Sequence, residues 1–170
     1  MQALIKFFVE LALLRRRPQD LPASPVLLLL FAVLNVVLGA ANGAKLFGGF
    51  GNALGANLID LLFSMLVLFA LLQIRGHPRR WLQTTSAFLG LGVLAGILMT
   101  LVQIPVEAVG TPGSVALLNL VLIIWLHLAL GGVLRHALEV PLALGVVVVL
   151  AYTVMSFTLI ARIYPPVTST

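Results

Sequence analysis

Residues 114–134, SVALLNLVLIIWLHLALGGVL, contain no Asp, Glu, Lys or Arg. As a helix rising 1.5 Å per residue, this stretch covers about 30 Å, the thickness of the hydrocarbon core of a bilayer. Four other stretches share its length and character, at about 26–46, 54–74, 84–104 and 142–163. The expected fold is therefore all-α: a polytopic transmembrane helical bundle of five spans, preceded by an N-terminal interfacial amphipathic helix over residues 1–17. The whole chain, 1–170, reads as one membrane domain.

Composition agrees. The chain is 61% hydrophobic and 9% charged, against roughly 25% charged for a soluble domain, so its outer surface is expected to face lipid. It has no cysteine, which excludes disulfides, thiolate metal sites and cysteine nucleophiles. The net charge of +5 sits beside the apolar spans, where Lys and Arg fix topology. It does not form the aromatic-interleaved basic surface of a nucleic-acid binder.

The first segment, MQALIKFFVELALLRRR, places Gln2, Lys6 and Glu10 on one side of a helix that is otherwise apolar up to Leu14, the pattern of a helix lying in the interface. A signal peptide would carry its positive charge before the apolar run, whereas Arg15, Arg16 and Arg17 follow it. Pro18, Pro22 and Pro25 then separate this helix from the first span. Eight Lys and Arg residues (Lys6, Arg15, Arg16, Arg17, Arg75, Arg79, Arg80 and Arg135) fall on one side of the five-span layout, and Lys45 and Arg162 on the other. Positive charge stays cytoplasmic, so the expected topology has the N-terminus inside and the C-terminus outside, most simply in a bacterial inner membrane.

Few residues could carry chemistry. Asp60 lies in the second span, with Asn57 one turn before it and Ser64 one turn after. If that span starts at Leu54, Asp60 is about 9 Å inside. A carboxylate at mid-membrane costs about 2.5–3.5 kcal/mol on insertion scales and faces protein or a water-filled cavity. Its two readings are a proton or cation site, and a boundary residue capped by water or paired with Lys45. Asn57, Asn119, Glu107 and Lys45 have similar expected depth and could join Asp60 in one polar cluster, for which interhelical hydrogen bonding is the simpler account. His127 in the fourth span could pass protons or donate one packing hydrogen bond; its depth makes a direct pair with Asp60 unexpected. His77 and His136 fall in basic loops, and three scattered histidines lack metal-ligand spacing. No metal site and no cofactor is expected.

Gly39 and Gly43 in the first span, with Asn35 and Asn42 on the same face, and Gly92 and Gly96 in the third, are small-xxx-small pairs that mark helix-packing seams. Such seams could close within the chain or against a partner. Arg15, Arg16, Arg17, Arg75, Arg79 and Arg80 could bind anionic headgroups, although setting topology is a sufficient role. The serines lack a G-x-S-x-G context and no H-E-x-x-H occurs. GFGNALG, residues 49–55, lacks the Lys-Ser/Thr ending of a phosphate loop. The residues therefore argue against an enzyme.

Five closely spaced spans, preceded by a short segment ending LLRRRPQDLPASP, resemble in layout the Yip-type family of small five-span membrane proteins. The resemblance covers architecture rather than a motif, and this chain lacks the longer soluble N-terminal region of the family's eukaryotic members. It implies a scaffold or assembly role. The first expectation is thus a non-enzymatic small subunit, scaffold or assembly factor, embedded in the lipid bilayer and partnered by another membrane protein or a second copy of itself. The alternative is a small transporter or channel subunit using Asp60 and His127. A lipid-modifying enzyme is a third, weaker reading. The first two differ in what they require: an open small-residue face for the scaffold, or polar residues from several spans converging on one cavity for the transporter.

Overall fold

A computed structural model describes residues 2–109 and 112–167, the side chains of 3, 103–109 and 112 excepted. Among the described residues the chain is all-helical: α1 (Gln2–Ala12), α2 (Pro25–Gly43), α3 (Phe50–Ile74), α4 (Trp81–Val109), α5 (Pro112–Leu138) and α6 (Leu142–Ile163), with single 3-10 turns at Pro18–Asp20 and Pro78–Arg80. Helices α2 to α6 are long and apolar enough to cross a membrane, with mean hydropathy of 2.0 to 2.3 over their spans. The protein is a multi-pass membrane protein.

Local chemistry sets the ends of these helices. The Ser24 hydroxyl accepts the Leu27 N–H at 3.4 Å and Pro25 takes the first helical position, a favoured N-terminal arrangement. After α2 the chain reverses through Gly48 and Gly49 at φ +71° and +144°, conformations open to glycine alone at little cost. The turn is shorter than its composition suggests, because Gly51 and Gly55 already belong to α3. Helix α3 therefore starts at Phe50 rather than Leu54, and Asp60 lies deeper than a later start implies. Helix α4 continues through Pro105, where the sequence suggests a stop. At the other end of α5, Glu139 adopts φ +55° and the Val140 N–H returns to the Arg135 carbonyl at 3.1 Å.

The five spans form a closed ring in the order α2, α4, α5, α6, α3 and back to α2, with α3 against α6 the most sparingly packed neighbours. Packing is tightest at the end of the bundle that carries Arg15–Arg17, Arg75, Arg79, Arg80 and Arg135. There every residue from Thr84 to Leu91 in α4 and from Ala129 to Leu134 in α5 is buried. Nearer the opposite end, no residue of α5 from Gly113 to Leu128 is buried. The ring is thus a solid plug at its basic end and loosens away from it.

The glycine seams close within the chain. A Cβ on Gly39 would strike the Asn57 side chain of α3, and one on Gly92 would strike Asn35 of α2. A Cβ on Gly96 would meet Leu38 and Asn42 at 3.5 and 3.6 Å, and one on Gly43 would meet Phe47 at 3.4 Å. Asn35 donates to the Leu89 carbonyl at 3.3 Å and Asn42 to the Gly96 carbonyl at 3.1 Å, which ties α2 to α4 by the interhelical bonds that apolar surroundings favour.

Helix α1 seats against the bundle. Phe8, Leu11 and Ala12 are buried, and the Phe8 ring fills the space left open by Gly90. Gln2 and Lys6 are exposed and Glu10 is half-buried on its outer side, as the amphipathic pattern requires. Glu10 ties the helix to the chain after it through Arg16 at 2.8 Å, and pairs loosely within the helix with Lys6 at 3.9 Å. The hydrogen bond from Arg16 holds the Glu10 carboxyl below the usual carboxylate range. A depressed carboxyl contributes its stabilisation above the ordinary carboxylate pKa and loses it as pH falls through the lowered value. The tie is exposed and its contribution modest. Amide exchange in residues 2–17, corrected for intrinsic rate, should stay constant from pH 7 to 5 and rise only on the acid side of the ordinary carboxylate range; Glu10→Gln should show the acid-side rate throughout.

Candidate functional site

Where the tight half of the ring meets the loose half, the helices border a half-open cavity of about 310 Å³. All five spans contribute to its wall, and its polar residues are Asn35, Asp60, Ser64, His127, Tyr152, Thr153 and Ser156. Asp60 stands ten residues into α3 and Tyr152 ten residues into α6, each about 15 Å along its helix and so near mid-membrane. Toward the basic end the cavity is backed by the buried side chains of Leu68, Leu72, Leu134 and Val149.

The centre of the site is the Asp60 carboxylate. Its Oδ1 accepts the Tyr152 hydroxyl at 2.6 Å and also the Ser156 hydroxyl. Tyr152 and Ser156 are four residues apart, hence on one face of α6. They clamp the carboxylate across the α3–α6 boundary, where apolar packing is thinnest. The Tyr152 ring is held by Phe63, stacked at 5.8 Å, and by the edge contact of Phe88 at 5.7 Å. Among the described residues Asp60 Oδ2 has no hydrogen-bond partner. The carboxylate is therefore anchored by one oxygen and offers the other to the cavity.

His127 forms the facing wall. Its Nδ1 lies 2.8 Å from the Ile123 carbonyl, and its Nε2 lies 3.1 Å from Thr153 Oγ1. A carbonyl only accepts, so Nδ1 carries a proton. Thr153 also lies 3.0 Å from the Val149 carbonyl. With imidazole neutral, the Thr153 proton turns toward Nε2; with imidazole charged, Nε2–H donates to Thr153 and the hydroxyl proton turns to Val149. Rotation of one hydroxyl thus keeps both ring nitrogens hydrogen-bonded whichever way the Thr153 proton points.

Of the residues expected to cluster, Asp60 and His127 do line one cavity, without a direct hydrogen bond between them. Asn57 does not join them: it donates to the Ala53 carbonyl at 2.8 Å and packs on Gly39. Lys45, just beyond the end of α2, and Asn119, two turns before His127 in α5, are not in the cavity wall. The Glu107 side chain lies outside the described residues. Similar depth therefore does not place Asn57, Lys45 or Asn119 in the wall of the Asp60 cavity. Tyr152, Thr153 and Ser156 were not singled out from the sequence; their signal was the i, i+4 spacing of Tyr152 and Ser156 in an otherwise apolar span. Among the described residues no group of three or more His, Cys, Asp or Glu could hold a metal ion. Among family models, curated proteins and solved structures, nothing matches this chain.

Proposed function

We propose that the protein is a small transporter or channel subunit that passes protons, or a small cation coupled to them, through the site formed by Asp60 and His127. The observation that carries this reading is the convergence of an ionisable carboxylate and an ionisable imidazole on one mid-bundle cavity. Intramembrane ionisable residues are costly to keep. Here the cost is met by hydroxyl donors that leave one carboxylate oxygen available. Oxygen ligands from Asp60, Ser64 and Ser156 suit a proton or a hard monovalent cation better than a soft metal. In the proposed orientation the basic, tightly packed end faces the cytoplasm of a bacterial inner membrane, so the cavity is reached from outside.

The scaffold role implied by the Yip-type resemblance would draw on an open small-residue face. The filled surroundings of Gly39, Gly92 and Gly96 favour the transport reading over it. The test is flux in purified proteoliposomes holding a pH-sensitive dye, with a potassium diffusion potential as driving force. Wild-type protein is expected to dissipate an imposed proton gradient well above protein-free vesicles. His127→Gln keeps hydrogen-bonding capacity but cannot accept a proton, and should slow the flux at least tenfold. Thr153→Val removes the rotating hydroxyl and should slow it several-fold. Wild-type flux equal to that of protein-free vesicles, across protons, sodium and potassium, would overturn the proposal.

A further inference from the structure

A second cavity, of about 630 Å³, opens at the basic end, between the turn after α1 and the α5–α6 connection. Its lining includes three guanidiniums, and they are differently engaged. Arg80 is committed to Glu139 at 2.8 Å. Arg17 and Arg135 also line the cavity, and among the described residues their guanidiniums have no ion-pair partner. The nearby Asp20 carboxylate caps the Arg17 backbone N–H at 3.2 Å. Two guanidiniums are therefore available to an incoming anion.

The floor of this cavity is fixed in advance. Gln83 donates to the carbonyls of Gln19 and Leu21, at 3.1 and 2.8 Å, which pins the Pro18–Asp20 turn to α4. The Gln19 amide nitrogen in turn donates to the His136 carbonyl at 2.8 Å. That bond ties the turn to the end of α5. The cavity thus presents two charged donors to an anion on a frame that is already fixed.

We infer that this cavity binds the headgroup of an anionic phospholipid, its phosphate held by Arg17 and Arg135. Planar guanidiniums match phosphate oxygens in paired, charge-assisted hydrogen bonds. The chemistry recognised is a phosphate in a headgroup of net negative charge. Position favours the lipid over free phosphate as its source. The cavity lies at the ends of two spans, at headgroup level, with Val140 and Pro141 on its edge. Three residues further on, exposed Leu144 begins the lipid-facing side of α6, where an acyl chain would lie.

The experiment is a thermal-shift titration of the purified full chain in detergent, with short-chain phosphatidylglycerol, short-chain phosphatidylcholine or inorganic phosphate. Phosphatidylglycerol should raise the melting midpoint saturably, with little effect from the other two. The double variant Arg17→Gln/Arg135→Gln should weaken apparent affinity at least tenfold. Arg15→Gln/Arg79→Gln removes the same charge from the same face outside the cavity and should stay within about twofold of wild type. Arg17→Lys/Arg135→Lys keeps charge without the paired geometry and should fall between. Equal loss in both Gln double variants would reduce the effect to diffuse surface charge and overturn the site. An equal response to inorganic phosphate would overturn the lipid assignment.

Discussion

Asp60→Asn should bring proton flux down to the level of protein-free vesicles while leaving the bundle folded. Asn has nearly the shape of Asp, and its side-chain oxygen can still accept from Tyr152 and Ser156, whose hydroxyls now close on Asp60 Oδ1. What it loses is the ability to ionise. Interhelical hydrogen bonds of this kind contribute about 0.6 to 2 kcal/mol each in membranes, so weakening them should lower the melting midpoint only slightly. Removing a mid-membrane carboxylate also relieves an insertion cost of roughly 2.5–3.5 kcal/mol, and the variant could even be the more stable protein. The prediction is thus a separation: activity lost, fold kept. Asp60→Glu, which retains the charge on a longer stem, should restore part of the flux. Undiminished flux in a well-folded Asp60→Asn protein would remove the carboxylate from the pathway.

Gly145→Leu should be the most destabilising single substitution in the bundle. Gly145 rests on the Gly131 carbonyl oxygen, and a Cβ there would also come within 3.2 Å of the Arg135 backbone nitrogen. Gly131 faces the same seam from the other side, where a Cβ would lie 2.9 Å from the Val146 backbone nitrogen. A side chain could turn away from such a clash, but backbone in two helices joined by a short connection cannot. Overpacking in a well-filled core costs roughly 1–3 kcal/mol, and more where the neighbour cannot yield. We expect a loss of at least about 3 kcal/mol, read as a large fall in the melting midpoint and in the fraction eluting as a single folded species. Gly51→Ala provides the contrast. Nothing lies within 4 Å of a Cβ at Gly51, and replacing a helical glycine by alanine should stabilise by about 0.5–1 kcal/mol.

The five spans were legible because length and apolarity are properties of each segment alone. The N-terminal helix was legible for the same reason: the spacing of Gln2, Lys6 and Glu10 needs no neighbour to be read. Properties that depend on azimuth were not legible. Depth groups Asp60 with Asn57, Asn119 and Lys45, but the ring order sends Asn57 into the seam with Gly39 and Asp60 into the cavity. The glycine pairs were visible as seams, and their partners were not, because nothing in Gly92 or Gly96 says that α2 is what they meet. Ser156 was hidden by the habit of serine and threonine hydroxyls in apolar helices. Such groups commonly bond back to their own helix, as Ser64 does to the Leu61 carbonyl at 2.8 Å and Thr158 to Val154 at 2.7 Å. Only the fold distinguishes those from Ser156, which joins Tyr152 in reaching across to a carboxylate.

Transport along the proposed path requires that Asp60 face the cavity and exchange a proton there. Dicyclohexylcarbodiimide partitions into apolar surroundings and modifies protonated carboxyls, so its reaction in intact membranes, mapped by mass spectrometry, tests that requirement most directly. Asp60 should be the residue modified, labelled faster as pH is lowered and unlabelled in Asp60→Asn. Labelling confined to the carboxylates at the basic end (Glu10, Asp20 and Glu139), with Asp60 untouched at every pH, would contradict it.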